Sequence, residues 1–353
     1  MNDAAAGART PPVLALDIGG TKLAAAVITT DGAVHGLVIE PTRSGDGWPL
    51  VIERLFEMGR RSIKQAQVDE IAAVGIACGG PLDALTGVIG SPPHLPGWLD
   101  VPIGPLASGA FGVPFALQND ATAAAAAEFR FGAGRGTSTM LYLTVSTGIG
   151  GGAVVDGTLH LGAAGNATEF GHLTVVRGGR LCSCGRRGCI EAYASGTSIA
   201  ARAREALTQH RTSTLRDVDE ITAADVSAAA AAGDPLAQEI WTETVDLLGA
   251  AVTDLVNVFE PDVVLLGGGV TRAGAMLLDP IVDLVAREAM PPAAAAARVA
   301  LAGLGDSVGV VGAGVIAQAV AERAGGLPRS SGVVPSALPE DPSAANRMNR
   351  LDV

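Results

Sequence analysis

Residues 13–34 read VLALDIGGTKLAAAVITTDGAV. An apolar run, a pair of glycines, a second apolar run and an Asp-Gly pair predict a hairpin of two strands followed by a further turn. A stretch of the same design returns at residues 140–155, which read MLYLTVSTGIGGGAVV. This weak internal repeat predicts two units of similar design that face each other.

Helices and buried strands are predicted around these hairpins by the spacing of apolar residues. We expect helices over residues 50–67, 121–131, 198–207, 236–258 and 308–324, and strands over residues 71–76, 114–117 and 262–266. The fold class that follows is α/β. A chain of 353 residues is long enough for about two domains.

The two expected domains differ in size. A small N-terminal α/β domain is predicted over residues 13–118, completed by the helix near 308–324, and a larger C-terminal α/β domain over residues 119–307. Residues 1–12 are expected to form a flexible leader. Residues 326–353 are rich in Pro, Ser, Asn and charge, which predicts a disordered tail.

The composition argues against several classes of partner. With 24 Lys and Arg against 36 Asp and Glu, the net charge is −12, and this field repels nucleic acid. No apolar run reaches the roughly 20 residues that a membrane span needs, and the N-terminus lacks a basic-then-apolar signal pattern. We therefore expect a cytoplasmic protein without nucleic-acid or membrane partners.

Both glycine turns are candidate phosphate loops. Glycines let backbone N–H groups approach an anion, and the first loop adds a hydroxyl, a positive charge and a carboxylate suited to hydrated Mg²⁺: Asp17, Gly19, Gly20, Thr21 and Lys22. The second loop is Ser146-Thr147-Gly148-Ile149-Gly150-Gly151-Gly152. Each loop alone also fits an ordinary hairpin turn, but two in one chain favour a shared phosphate cradle.

Asn119 and Asp120 stand at the end of a predicted strand and the start of the Ala-rich helix. A helix N-terminus favours the ionised form of a carboxylate such as that of Asp120. Simple N-capping is the alternative, because Asn and Asp are preferred cap residues.

Three of the four cysteines are crowded into eight residues, and a histidine precedes them. The set His172, Cys182, Cys184 and Cys189 offers three thiolates and one imidazole, which satisfy tetrahedral Zn²⁺. The alternative is three unrelated buried cysteines. Glu169 and Glu191 flank this cluster and are candidates to accept hydrogen bonds from sugar hydroxyls, although each also fits a surface glutamate.

Taken together, these motifs resemble the ROK family of bacterial sugar kinases and related transcriptional repressors. The most specific part is Cys182-x-Cys184-Gly185-x-x-Gly188-Cys189-x-Glu191, which matches the family's CxCGxxGCxE signature, and Glu169-Phe170-Gly171-His172 matches its ExGH segment. The resemblance covers about residues 13–324. It implies a two-domain actin-like (ribonuclease-H-like) ATPase fold with the active site in a cleft between the domains.

The resemblance also implies residue roles. Asp120 corresponds to the catalytic base, and the sugar site would comprise Gly79, Gly80, Asn119, Asp120, Glu169, His172 and Glu191. The ATP site would comprise the two glycine loops, here Asp17, Gly19, Gly20, Thr21, Lys22, Ser146, Thr147, Gly148 and Gly150, with a turn near the adenosine at Gly267, Gly268 and Gly269. The expected cofactors are ATP with Mg²⁺ and a structural Zn²⁺ held by His172, Cys182, Cys184 and Cys189.

The activity that the resemblance implies is transfer of a phosphoryl group from ATP to the 6-hydroxyl of a hexose. Glucose is the default sugar, because Pro93-His94-Leu95-Pro96-Gly97-Trp98 is similar to a segment of glucokinase-like members. Kanosamine, glucosamine or an N-acetylhexosamine is the alternative, and polyphosphate is an alternative donor. Family members form dimers or tetramers, so a homo-oligomer is expected.

Two non-catalytic functions have less support from the sequence. The family's repressors carry a helix-turn-helix ahead of the sugar domain, whereas here about a dozen residues precede the first predicted strand. A sugar sensor without catalysis leaves Asp120 and both glycine loops unexplained.

One departure from the family concerns the ExGH segment. Thr168 stands where the family usually has glycine, and we expect it to influence the sugar preference. We also expect an ordinary, ionised Asp120 to suffice as base, because phosphoryl transfer relies mainly on positioning and charge neutralisation.

Overall fold

The computed structural model of the protein describes residues 11–209 and 212–324. The tail expected over 326–353, and the leader expected over 1–12 apart from its last two residues, lie outside this part of the chain. Among the described residues, no helix combines the length and the apolar character that a bilayer crossing requires.

The first half of the chain forms a mixed five-stranded sheet. Its elements, with two short strands in one connection, are β1 (Val13–Ile18), β2 (Lys22–Ile28), β3 (Val34–Pro41), α1 (Trp48–Ala66), β4 (Val74–Cys78), β5 (Leu82–Asp83), β6 (Val88–Ile89), α2 (Ile103–Phe111) and β7 (Phe115–Asn119). The strand order is β3-β2-β1-β4-β7. β1 pairs antiparallel with β2 and parallel with β4, which in turn pairs parallel with β7.

The second half forms another five-stranded sheet. Its elements are α3 (Asp120–Phe131), β8 (Met140–Val145), β9 (Ile149–Val155), β10 (Thr158–Leu159), α4 (Glu191–Ala194), α5 (Gly196–Thr208), α6 (Ala223–Ala231), α7 (Pro235–Phe259), β11 (Val263–Gly267), α8 (Ala275–Glu288), α9 (Pro291–Ala296), β12 (Arg298–Leu301) and α10 (Val308–Ala324). The strand order is β10-β9-β8-β11-β12.

The two sheets share one topology. In each, the third, second and first strands form an antiparallel meander, and the fourth and fifth strands follow in parallel beside the first. The repeat read from the two glycine hairpins therefore extends to all five strands. Three edge strands, β3, β10 and β12, were not expected from the sequence, because they are short or leave most of their residues exposed or half-buried.

The predicted helices and strands lie within a few residues of their observed positions. The strand expected from residue 71 begins at Val74, because the backbone before it bonds elsewhere: Ala72 N–H donates to the Pro12 carbonyl. Helices α2, α4, α6, α8 and α9 were not expected. In α2 the residues Gly104, Pro105 and Gly109 mask the helical pattern, since glycine and proline are poor helix formers.

Two helices lie between the sheets. α10 packs against α3 and against β1, β2, β4 and β7, whereas α3 packs against β8 and β9. Small residues allow this close approach, because a Cβ added at Gly312 of α10 would lie 2.5 Å from the Ala123 carbonyl oxygen of α3. α3 therefore begins where the two sheets meet, and its first residue is Asp120.

Candidate active site

The candidate site gathers at one edge of the first sheet. Because β1, β4 and β7 run parallel, the residues at their carboxyl ends meet there: Asp17, Gly79 and Asn119. Ligands of open α/β sheets bind outside the carboxyl ends of the strands. The structure thus brings the first glycine loop, the Gly79-Gly80 pair and the Asn119-Asp120 pair together.

The first glycine loop is a four-residue turn between β1 and β2. Gly19 N–H donates to the Lys22 carbonyl at 3.0 Å, which closes the turn. Thr42, fully buried after β3, braces it: its hydroxyl donates to the Gly19 carbonyl at 2.6 Å, and its N–H donates to the Thr21 carbonyl at 2.9 Å. The sequence reading missed Thr42, because a lone Thr far along the chain gives no local signal.

Asp17 lies in β1, directly before this loop, and its carboxylate packs against the first turn of α10. A Cβ added at Gly309, in the first turn of α10, would lie 2.3 Å from a carboxylate oxygen of Asp17. Burial, and then the negative charge of Asp120, raise the pKa of Asp17 to about 7, although the positive charge of Lys22 acts against this shift. A divalent cation beside Asp17 would offset this charge, so the site fits the Mg²⁺ of a nucleotide complex.

Asn119 rather than Asp120 caps α3. The Asn119 Oδ1 accepts from Ala121 N–H at 2.9 Å and from Thr122 N–H at 3.3 Å. These bonds fix the orientation of the amide, so that its Nδ2 group remains available as a donor. A Cβ added at Gly80 would lie 3.7 Å from Nδ2, so this donor faces the Gly79-Gly80 loop.

Asp120 occupies the first position of α3 at the junction of the sheets, where its side chain is open to solvent but closely surrounded by protein. Its carboxylate accepts from Ala121 N–H at 2.8 Å. Desolvation raises the pKa of Asp120, while the Ala121 hydrogen bond and the positive charge of His94 lower it. The raised pKa differs from the ordinary value expected from the sequence, because the protein groups around the carboxylate displace part of its hydration. Capping, the alternative role for Asp120, belongs to Asn119.

The second glycine loop joins β8 to β9 and lies beside the turn after β11. Ser146 N–H donates to the Gly148 carbonyl at 2.9 Å, whereas the Ser146 carbonyl accepts from Gly196 N–H at 2.6 Å. Parallel pairing of β8 and β11 places Gly268 next to this loop. Gly268 has a φ of 90°, and a Cβ there would lie 2.5 Å from the Val145 carbonyl oxygen. The structure therefore brings residues 146–148 and 267–269 together.

Packing explains two of the glycines assigned to ATP. A Cβ added at Gly150 would lie 2.8 Å from the Ala121 Cβ, and one at Gly267 would lie 2.5 Å from the Tyr142 hydroxyl. Gly150 thus lets β9 approach the first turn of α3, which carries Asp120. The assignment of both glycines to the nucleotide stays a prediction.

The cysteine cluster has the geometry of a metal site. One ligand atom from each of His172, Cys182, Cys184 and Cys189 lies within 4.8 Å of all the others. The Cys182 Sγ lies 3.7 Å from His172 Nδ1, and the Cys184 and Cys189 Sγ atoms lie 3.7 Å apart. Tetrahedral Zn²⁺ with bonds of about 2.0–2.3 Å holds its ligand atoms about 3.5–3.8 Å apart, so the donor set fits this ion.

The two flanking glutamates differ in their contacts. Glu169 Oε2 lies 3.9 Å from His172 Nε2, the ring nitrogen that does not face the cysteines. Glu191 Oε1 accepts from the Ser183 hydroxyl at 2.9 Å, and Oε2 accepts from Ile149 N–H at 2.9 Å. Glu191 therefore links the cysteine cluster to the second glycine loop.

Thr168 has a backbone conformation that β-branched residues rarely adopt. Its φ is 65°, in the left-handed region, and its hydroxyl has two acceptors within reach, the Ala167 carbonyl at 2.5 Å and the Gly151 carbonyl at 3.1 Å. The glycine that the family usually has here adopts this conformation without strain. The contact of Thr168 with β9 is a structural role that the sequence did not reveal. Its influence on the sugar preference stays a prediction.

Comparison with known proteins places the chain in a family. The sequence profile described as "ROK family" matches residues 13–320. The chain belongs to the ROK family. A glucokinase of Halalkalibacterium halodurans is 36% identical to this ROK chain over 306 residues, 85% of this chain and 92% of the relative. An N-acetylmannosamine kinase of Yersinia pseudotuberculosis is 35% identical over 262 residues, 74% of this chain and 83% of the relative.

A solved structure extends the likeness to three dimensions. A ROK family glucokinase from Streptomyces griseus, in complex with glucose and AMPPNP, superposes with a TM-score of 0.72 at 33% identity. The match covers 87% of this chain and 99% of that chain. The two-domain actin-like fold expected from the motifs is confirmed by this likeness and by the paired sheets.

Proposed function

We propose that the protein is an ATP-dependent hexose kinase that phosphorylates the 6-hydroxyl of glucose. The observation that carries the proposal is the position of Asp120. It begins α3 at the junction of two sheets that each carry a glycine loop, and it lies close enough to Asp17 for their charges to interact and next to the Asn119 donor. The family membership and the similarity to two glucokinases support the same reaction.

In the proposed mechanism, the nucleotide phosphates rest on the first and second glycine loops, residues 17–22 and 146–152. The Asn119 Nδ2 group, together with Glu169, Glu191 and the free nitrogen of His172, hydrogen-bonds the hydroxyls of the hexose. Asp120 accepts the proton of the reacting hydroxyl while that oxygen attacks the γ-phosphorus in line. Positioning and charge neutralisation supply most of the rate, and general-base assistance adds typically about 10²–10⁴-fold.

The raised pKa of Asp120 suits a proton acceptor. General bases work best when their pKa lies near the operating pH, because they then combine ionisation with an appreciable affinity for the proton. Asp17 would hold the Mg²⁺ that accompanies ATP, and this ion would neutralise charge on the phosphates. A positive charge there also favours the ionised form of the Asp17 and Asp120 carboxylates.

We propose a structural role for Zn²⁺ at His172, Cys182, Cys184 and Cys189. All four positions on the metal would be filled by protein, which leaves none open for a substrate. Cys184→Ser should remove the zinc. It should also weaken sugar binding, because Ser183, which lies between two of the cysteines, donates the hydrogen bond that positions Glu191. Zinc content by mass spectrometry and glucose affinity by calorimetry test this. Cys78→Ala is the matched control, because Cys78 lies in β4 outside the cluster and should leave the zinc in place.

An amino sugar is the second candidate substrate. The observation that favours it is the N-acetylmannosamine kinase, whose identity to this chain is close to that of the glucokinase. Values of kcat/KM over glucose, glucosamine, kanosamine, N-acetylglucosamine and N-acetylmannosamine discriminate between the candidates. The same panel with polyphosphate in place of ATP tests the donor.

A sugar-sensing regulator without catalysis is the competing non-enzyme function. It predicts sugar binding without sugar-dependent consumption of ATP. We expect glucose to stimulate ATP consumption and to yield a sugar phosphate in equal amount, measured by coupled assay and ³¹P NMR. Glucose binding without phosphate transfer, for every sugar and donor in the panel, would leave the regulator as the better account.

The remaining parts of the proposal concern organisation. We propose a division near residue 118 between the domains, with α10 completing the first, because α10 packs on the first sheet. We also propose a cytoplasmic homo-oligomer, dimer or tetramer. Light scattering of the purified full chain measures its mass.

A further inference from the structure

His94 lies within the candidate site, but none of the roles proposed above uses it. A Cβ added at Gly79 would lie 2.3 Å from the His94 Cε1, and one added at Gly20 would lie 3.1 Å from the His94 Cβ. The imidazole therefore fills the space between the first glycine loop and the Gly79-Gly80 loop. The absence of side chains at both glycines is what allows it to lie there.

The sheet order gives this position a meaning. In the first sheet β4 lies between β1 and β7, and all three strands run parallel. The proposed phosphate loop follows β1, and Asp120 follows β7. A phosphoryl group that moves from the loop to a hydroxyl at Asp120 must cross the end of β4. His94 packs on Gly79 at that point.

The residues that follow His94 are anchored in the core, whereas the His94 ring makes no hydrogen bond to another described group. Leu95 and Trp98 are 1% and 2% exposed in the hydrophobic core beside the first sheet, and Trp98 N–H donates to the Leu95 carbonyl. Over residues 11–209 and 212–324, neither ring nitrogen of His94 has a hydrogen-bond partner. Burial lowers the pKa of His94, and the negative charge of Asp120 acts in the opposite direction.

We propose that His94 contacts the transferred phosphoryl group and donates a ring N–H to one of its non-bridging oxygens. This inference rests on the proposed kinase function. The sugar oxygen forms the new bond to phosphorus, the bond from phosphorus to the ADP oxygen breaks, and Asp120 takes the hydroxyl proton. His94 forms no covalent bond; it offsets the repulsion between the Asp120 carboxylate and the phosphoryl oxygens.

A comparison of two nucleotides tests the contact, because Mg·AMPPNP carries a γ-phosphoryl group and Mg·ADP does not. Calorimetry on the full chain should show that His94→Ala weakens AMPPNP binding about ten- to hundredfold, the range for hydrogen bonds to charged groups. Binding of ADP and of glucose should be unchanged, and kcat should fall. His35→Gln is the matched control, since exposed His35 lies at the far end of the β2–β3 pair and should change nothing.

A second variant protects the test against a folding defect. Gly79→Ala leaves His94 present but places a Cβ in the space of its ring, so it should lower kcat as His94→Ala does. The kcat of the double variant His94→Ala/Gly79→Ala should be no lower than that of Gly79→Ala alone. Additive losses would overturn the proposal.

The outcomes separate the two claims. Suppose that the wild type transfers the phosphoryl group normally. The His94 proposal alone is then overturned if His94→Ala weakens the binding of ADP and AMPPNP equally, weakens the binding of glucose instead, or changes no binding affinity. A wild type that binds both nucleotides but transfers no phosphoryl group to any sugar overturns the proposed function, and the His94 proposal falls with it.

Discussion

The carboxylate of Glu191 accepts a hydrogen bond from the backbone N–H of Ile149 at 2.9 Å, which ties the helix after the cysteine cluster to the second glycine loop. The fit is close, because a Cβ added at Gly148 would lie 2.7 Å from the same carboxylate oxygen. The other oxygen accepts from Ser183 within the cluster. One side chain thus joins a proposed sugar ligand, a proposed zinc site and a proposed phosphate loop.

Glu191→Gln should affect both substrates. The amide retains one acceptor oxygen for two donors, so either the loop or the cluster loses its bond. We expect KM to rise about tenfold or more for both the sugar and ATP, as for loss of a charged hydrogen bond. Glu169→Gln is the matched control, because Glu169 contacts His172 and should raise KM for the sugar alone. A Glu191→Gln variant with an unchanged KM for ATP would contradict the link.

Asn119 permits a clean separation of capping from sugar binding. Asn119→Asp keeps an acceptor for the Ala121 and Thr122 N–H groups but removes the Nδ2 donor. We expect a small loss of thermal stability, from the added negative charge beside Asp120, and a sugar affinity at least tenfold weaker. Asn119→Ala loses both functions, so its free energy of unfolding should also fall by about 1 kcal/mol. Normal glucose affinity in Asn119→Asp, measured by calorimetry, would remove the amide from the sugar site.

Asp17 should reduce the stability of the nucleotide-free protein at high pH. Its pKa is raised from 3.8 to about 7, so between these values the folded protein holds a proton that the unfolded chain has lost. The free energy of unfolding therefore falls as pH rises through this window. Asp17→Asn should raise Tm at pH 8 by a shift worth about 1–4 kcal/mol, and by about half as much at pH 5.5, while activity is lost.

Thermal unfolding at the two pH values, without nucleotide or Mg²⁺, measures this effect. Asp31→Asn is the control, because the pKa of exposed Asp31 is lowered by the Thr29 hydrogen bond and its substitution should bring no gain at pH 8. The same gain for Asp17→Asn at both pH values would argue against a buried charge as its cause.

Thr168 offers a test of backbone strain. Thr168→Val keeps the positive φ but loses the hydroxyl that donates to the Ala167 or Gly151 carbonyl, so the free energy of unfolding should fall by about 1–2 kcal/mol. Thr168→Gly loses the same bond but also relieves the backbone strain, which costs about 1–3 kcal/mol. Its free energy of unfolding should therefore stay within about 1 kcal/mol of the wild-type value. Chemical denaturation measures both. A glycine variant as unstable as the valine variant would show that φ carries no strain.

Local patterns explain how much of the fold the sequence revealed. The two glycine hairpins, α3, α7 and α10 follow from short-range periodicity, and the cysteine spacing alone predicted a four-ligand cluster that the structure brings within 4.8 Å. The edge strand β3 alternates half-buried with exposed residues, and Leu37 and Ile39 are among the exposed ones, so its apolar residues do not form the buried face by which a strand is recognised.

Contacts between distant segments explain what the sequence did not reveal. Thr42 braces the first glycine loop from 23 positions away, and His94 reaches Gly20 and Gly79 from a separate loop. His94 lies within the segment that resembles glucokinase-like members, but no spacing rule distinguishes it there. The raised pKa of Asp120 depends on desolvation by groups from both sheets, which only the assembled fold brings together.

The most direct test of the central claim compares Asp120→Asn with wild type in single-turnover transfer from ATP to glucose, with glucose affinity measured on the same samples. Asn preserves the size of the side chain and leaves the Asn119 cap untouched. The account predicts that transfer slows by at least about 10²-fold while glucose binds as in wild type. Transfer at a near-normal rate by Asp120→Asn would contradict the assignment of Asp120 as the base.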